Sequence, residues 1–167
     1  MIEAVMDQLK SMFQTHMEAE LSALASPNGG VALTLAVPAK YHLGFDESSE
    51  IIKTAPTTLI IPGTTTEQPL VGSGFLTDNI HSIAVCHFLK CHNIENLQRM
   101  KSRYAVATRN IIVKRSDADD VTIDKGCIGR CYDVEMSYLT RKVNDEDQIS
   151  YVASVWIMFK AEERETL

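Results

Sequence analysis

At 167 residues, 45% hydrophobic and 23% charged, the chain has the size of one soluble domain able to bury most of its surface. Lys plus Arg number 16 against 22 Asp plus Glu, a formal net charge of −6, which argues against a protein built to grip nucleic-acid phosphates. No stretch approaches the roughly 18 consecutive apolar residues of a membrane-spanning helix, so no membrane partner is expected.

The opening residues MIEAVMDQLKSMFQ carry Glu3 and Asp7 among apolar positions, unlike a secretory signal, so the expectation is a chain made and kept in a cytoplasm. Cys86, Cys91, Cys127 and Cys131 are then reduced thiols. Ile2, Val5, Met6, Leu9, Phe13, Met17, Leu21 and Leu24 recur at steps of three and four, which predicts a helix over Ile2–Ala25. Ser26-Pro27-Asn28-Gly29-Gly30 ends it, because Pro cannot continue the ladder and Gly tolerates a left-handed stop.

Val31–Val37 reads as a short strand closed by Pro38, and Lys40–Ala55 as an exposed loop without a clear period. Tyr41, Leu43 and Phe45 alternate within that loop, either as a strand edge packed on the core or as an apolar tip for a partner. Thr57–Ile61 is a β-branched strand bounded by Pro56 and Pro62. Gly63–Gly74 reads as a mobile arm or a long hairpin tip, a length that in a compact domain points to partner contact or disorder.

His81–Lys90 has apolar residues at both parities, which predicts a central strand covered on both faces. Leu97, Met100, Tyr104, Ala107 and Ile111 give a helix over Glu95–Val113, with Arg99, Lys101, Arg103 and Arg109 expected in solvent. Two long strands follow, Cys127–Thr140 and Ile149–Lys160, preceded by the acidic break Ser116–Asp120 and separated by the acidic turn Asn144–Asp147. In the last strand Tyr151, Ala153, Val155, Ile157 and Phe159 form one face, and Val152, Ser154, Trp156 and Met158 the other. Ala161–Leu167 reads as a charged tail. The expected class is α+β, a mainly antiparallel sheet with an N-terminal and a second helix on one face, in a single domain.

The sharpest chemical candidate is Cys86-His87 with Cys91-His92, because thiolates and imidazoles are zinc's preferred ligands. Residues four apart on a strand lie roughly 13 Å from each other, so Cys127 and Cys131 cannot share an ion there. Buried thiols acting as small hydrophobes are the simpler reading, and no metal or cofactor is expected. A calcium loop starting at Asp117 fails, since its sixth and twelfth positions are Thr122 and Ile128 rather than Gly and Glu. Gly72-Ser73-Gly74 lacks the spacing of a nucleophile elbow, and the histidines show no repeated pattern with nucleophiles or carboxylates, so no enzyme is expected.

The order of parts resembles the small neck proteins of tailed bacteriophages, most of all the tail terminators. The resemblance rests on the helix MIEAVMDQLKSMF, the strand TTLIIPG, the arm leading into NIHSIAVCHFLK, the helix ENLQRMKSRYAVATRNIIV and the closing strand YVASVWIMFKAEE. It implies an α+β sandwich with helices on one face of the sheet, six copies in a ring at the head-proximal end of the tail tube, and no catalytic residues. The implied partners are other copies of the chain, the tail tube protein and a head–tail connector or stopper, in a virion assembled in the host cytoplasm. Genomic DNA would pass through without specific binding.

A ring needs heterologous contacts. On this reading the expected ones are Tyr41 and Phe45 from the loop, and Thr64, Thr65, Thr66, Phe75 and Leu76 from the arm, taken as residues 63–76. An acidic lumen would keep duplex from sticking, so Asp117, Asp119 and Asp120, or the turn Asp145-Glu146-Asp147, are expected to face the channel. Two alternatives remain open: another connector or head-completion protein of the neck, and a small cytoplasmic metal- or ligand-binding domain using Cys86, His87, Cys91 and His92.

Overall fold

The computed structural model describes residues 2–44, 54–69, 77–115, 128–145 and 148–163. Its elements, in chain order, are α1 (Ile2–Ala25), β1 (Lys40–Leu43), β2 (Thr57–Pro69), β3 (Thr77–Cys91), α2 (Ile94–Arg115), β4 (Ile128–Asp145) and β5 (Gln148–Glu163). The five strands form one sheet in the order β1-β2-β3-β5-β4, antiparallel except where β1 runs parallel to β2. The fold is α+β. β5 inserts between β3 and β4, so α2 links two strands that are not hydrogen-bonded to each other.

Both helices pack on one face of the sheet. Val5, Leu9, Met12, Phe13, Met17 and Leu21 of α1 join Leu97, Tyr104, Ala107 and Ile111 of α2 over Ile60, Val85, Leu89, Val155, Ile157 and Phe159. Each large apolar side chain buried there contributes about 1.5–3 kcal/mol relative to exposure. The period-two pattern of β5 is seen directly: Ala153, Val155, Ile157, Phe159 and Ala161 are buried in this layer. On the opposite face Leu59 and Cys86 are fully buried beside Ile61, Phe88 and Trp156, so β3 is covered on both sides, as its sequence suggested. Among the described residues no helix is long and apolar enough to cross a membrane.

Local signals fix the helix ends. After Ala25, Gly30 N–H donates to Pro27 O at 2.9 Å, with Gly29 at φ 75°. Asn93 caps α2, its Oδ1 accepting from Asn96 N–H at 3.1 Å.

Several sequence expectations are corrected. Val31–Val37 belongs to no ladder. Part of the expected loop 40–55 is a strand instead, because Lys40–Leu43 pairs with Thr57–Ile60. Pro62 does not end β2: it lies beyond Ile60, the last β2 residue paired with β1, on an edge with no partner among the described residues, so its missing N–H removes no ladder bond there, and the strand continues to Pro69. Residues 63–69 are therefore the first strand of a hairpin with β3, paired from Thr65↔His81 to Pro69↔Thr77. β5 extends through Glu163, three residues into the stretch expected as a tail.

The ladder slips by one residue between Pro62 and Thr65. Gly63 sits at that bulge, where a Cβ would lie 2.8 Å from the Ser82 carbonyl oxygen, a backbone atom that cannot swing away. Replacing Gly63 with Val is expected to cost about 1–3 kcal/mol by overpacking, read as a lower urea midpoint. An unchanged midpoint would show that the strands can part there freely.

α2 also departs from expectation. Arg109 is exposed, but Lys101 and Arg103 are only 8% and 9% exposed. Lys101 Nζ donates to Thr140 Oγ1 at 2.9 Å and lies 5.6 Å from the Tyr138 ring centroid, tying α2 to β4. Arg103 reaches the opposite way, to the segment that follows α1.

Candidate functional site: edges and assembly surfaces

The arm strand is anchored by a polar chain of side chains. Thr65 Oγ1 is 2.9 Å from His81 Nδ1, and His81 Nε2 is 2.9 Å from Glu163 Oε2. Asn79 Nδ2 donates to the same carboxylate oxygen at 3.3 Å. The register explains the meeting, since His81 pairs with Thr65 on one side and Ala161 on the other, bringing the end of β5 beside the arm. His81 and Glu163 are 2% and 6% exposed. Burial pulls the His81 imidazole below its ordinary pKa, against the attraction of the carboxylate beside it.

A second histidine is locked inside the core. His87 lies between Thr58 Oγ1, 2.8 Å from Nδ1, and Thr108 Oγ1, 2.6 Å from Nε2, with the Tyr104 ring at 5.6 Å. Burial lowers its pKa to about 3. A neutral imidazole has one donor and one acceptor, so one threonine hydroxyl donates to it and the other accepts.

The metal candidates do not converge. Cys86 and His87 are consecutive on β3, so Cys86 faces Leu59 and Trp156 while His87 faces α2 with both nitrogens engaged. His92 Nδ1 instead lies 3.1 Å from Ser150 Oγ. Among the described residues no three His, Cys, Asp or Glu side chains gather as metal ligands. Burial raises the Cys86 thiol to about 12, which holds it in its protonated form.

Of the expected contact residues, Tyr41 packs against the main core, and burial raises its phenol to about 12. It serves the core and not a free tip. Thr64, Thr65 and Thr66 are exposed on β2, with Thr65 held to His81 as above. Asp145 is the last residue of β4 and pairs with Gln148. Phe45, Phe75, Leu76, Asp117, Asp119, Asp120, Glu146 and Asp147 lie outside the described residues.

Sequence reading missed a groove of about 560 Å³ across the sheet, lined by Ile61, Gly63, Ser82, Ala84, Met158 and Lys160 among others. It lies where β2 and β4 both slip register, with Asp133 of β4 at φ 53°. Lys160 Nζ donates to Asp133 Oδ2 at 2.8 Å, which raises the lysine pKa. Gly63 was the one visible signal of this irregularity.

It also missed the clamp on residues 31–38. Arg103 Nη1 donates to Ala25 O at 2.9 Å and Nη2 donates to Val31 O, while Tyr104 Oη donates to Ala36 O. Leu33 N–H donates to Ala25 O at 2.9 Å. Two adjacent side chains of α2 thus hold a straight, ladder-free run against the helices.

No family model and no curated protein matches this chain. Among solved structures, a chain from the virion of a native gene transfer agent particle aligns over 90% of this protein and 92% of its own length. The identity is 15% and the TM-score 0.39, a likeness too distant to carry a role.

Proposed function

We propose that the protein is a virion structural protein of a tailed phage, a tail terminator that forms a ring on the head-proximal end of the tail tube and joins it to the neck. The observation that carries the reading is the order of elements: an opening helix, a long hairpin, a second helix and two closing strands, with both helices on one face of a mainly antiparallel sheet. That is the architecture implied by the tail-terminator resemblance. The role has no catalytic step of its own. A net charge of −6 suits a ring through which DNA slides without adhering.

A cap limits tube growth, so the gene's deletion from its source virus tests the role directly. Tails of uncontrolled length beside unjoined heads are expected in electron micrographs. Tails of normal length beside unjoined heads would favour the alternative of a connector or head-completion protein. Normal joined particles would contradict both.

A further inference from the structure

We propose that copies of this chain join head to tail by strand addition, residues 31–38 of one copy pairing with the outer edge of β2, Thr64–Glu67, in the next. The proposal names the contact behind the self-association read above, and rests on that reading.

The donor segment is already extended. Residues 31–38 run without a turn or bend and outside every ladder. Val31 O and Ala36 O are held by Arg103 and Tyr104, and Leu33 N–H by Ala25 O, whereas Ala32, Thr34, Leu35 and Val37 have no backbone hydrogen bond among the described residues. Val31 and Val37 are 50% and 39% exposed. An ordered strand-like run with free amides and carbonyls is a template for another strand, and the ordering cost is already met within the subunit.

The acceptor is the half of β2 whose outer edge has no partner among the described residues. β1 pairs only with Thr57–Ile60, while β2 continues to Pro69 and its side chains from Pro62 to Glu67 are exposed. The two edges cannot meet within one copy. β1 is parallel to β2 and follows residues 31–38, so those residues enter at the Thr57 end, roughly 23 Å along the strand from Thr64 at about 3.3 Å per residue.

Charge selects these edges over the third. β4 exposes Arg130, Asp133, Glu135, Arg141 and Lys142 and is bulged at Asp133, features that oppose strand addition. Residues 31–38 carry no charge, and the acceptor run Thr64–Glu67 carries a single one, at its Glu67 end. Because the paired edges differ, the contact is heterologous and propagates from copy to copy instead of stopping at a dimer.

The test is native mass spectrometry of the full chain with Thr34→Pro and Thr66→Lys, together with oxidation of a mixture of Thr34→Cys and Thr66→Cys. Proline at 34 removes an unused amide and keeps the extended backbone, and lysine at 66 charges the acceptor edge. The wild type is expected as a multimer, and both edge variants as 18.6 kDa monomers with unchanged melting. A covalent dimer is expected from the mixed cysteine variants and from neither alone.

A six-copy species that survives in both variants would overturn the strand pairing and leave the ring reading standing. An edge-dependent species of another copy number would keep the pairing and overturn the six-copy ring. A wild type that stays monomeric at every concentration overturns the pairing, with the gene deletion still deciding the virion role.

Discussion

Arg103→Ala is expected to lower the unfolding free energy by about 2–4 kcal/mol, because it removes two charge-assisted bonds to backbone, leaving Val31 O without its donor and Ala25 O with Leu33 N–H alone. The guanidinium serves Ala25 O and Val31 O together, joining the end of α1 to the start of the ladder-free run. At the end of a helix the positive charge also meets the negative pole of the helix dipole. Arg103→Lys should recover less than half of the loss, since one ammonium cannot span both carbonyls as a planar fork does. Urea unfolding measures both variants. A loss below about 1 kcal/mol, the net worth of one ordinary hydrogen bond, would show the clamp to be replaceable by water. If residues 31–38 are the joining strand, Arg103→Ala should weaken assembly as well as the fold.

Acid should destabilise the protein through His87. Its pKa is about 3 in the fold, below the ordinary 6.5 that it regains on unfolding. Between those values the unfolded chain binds a proton that the native chain refuses. The stabilising effect is therefore complete above pH 6.5 and is lost as pH falls toward 3, by about 1.4 kcal/mol per pH unit. His87→Gln keeps a donor and an acceptor for Thr58 and Thr108 but does not titrate. From pH 6.5 to 4.5 the wild type should lose about 2 kcal/mol more than this variant. Parallel stability curves for the two proteins would mean that the imidazole takes up its proton without unfolding. His81, also lowered by burial, adds to acid sensitivity in both proteins and cancels in the difference.

What the sequence reveals and what it conceals divide by the range of the interaction. The alternation from Tyr151 to Phe159 and the helical spacing from Val5 to Leu21 are local periods, and both became the faces they implied. β1 was legible only as one of two readings of the alternation at Tyr41 and Leu43, because a four-residue run is too short to decide it and its ladder is supplied by Thr57–Ile60, a partner in another part of the chain. Val31–Val37 has strand composition without a strand, because side chains 72 and 68 residues away take its carbonyls. Arg103 looked solvated for the same reason: its partners at Ala25 and Val31 share no local pattern with it. Pro62 misled as a terminator because only the sheet order shows that β1 pairs no further along β2 than Ile60 among the described residues. Of the expected contact residues, the threonines at 64–66 are exposed side chains of a strand paired with β3, while the alternation that singled out Tyr41 reported core packing.

A ring of identical copies is a question of copy number, which native mass spectrometry of the purified wild-type chain at micromolar concentration reads. A metal-free species of six copies is expected. A monomer at every concentration, above all one carrying zinc, would contradict it.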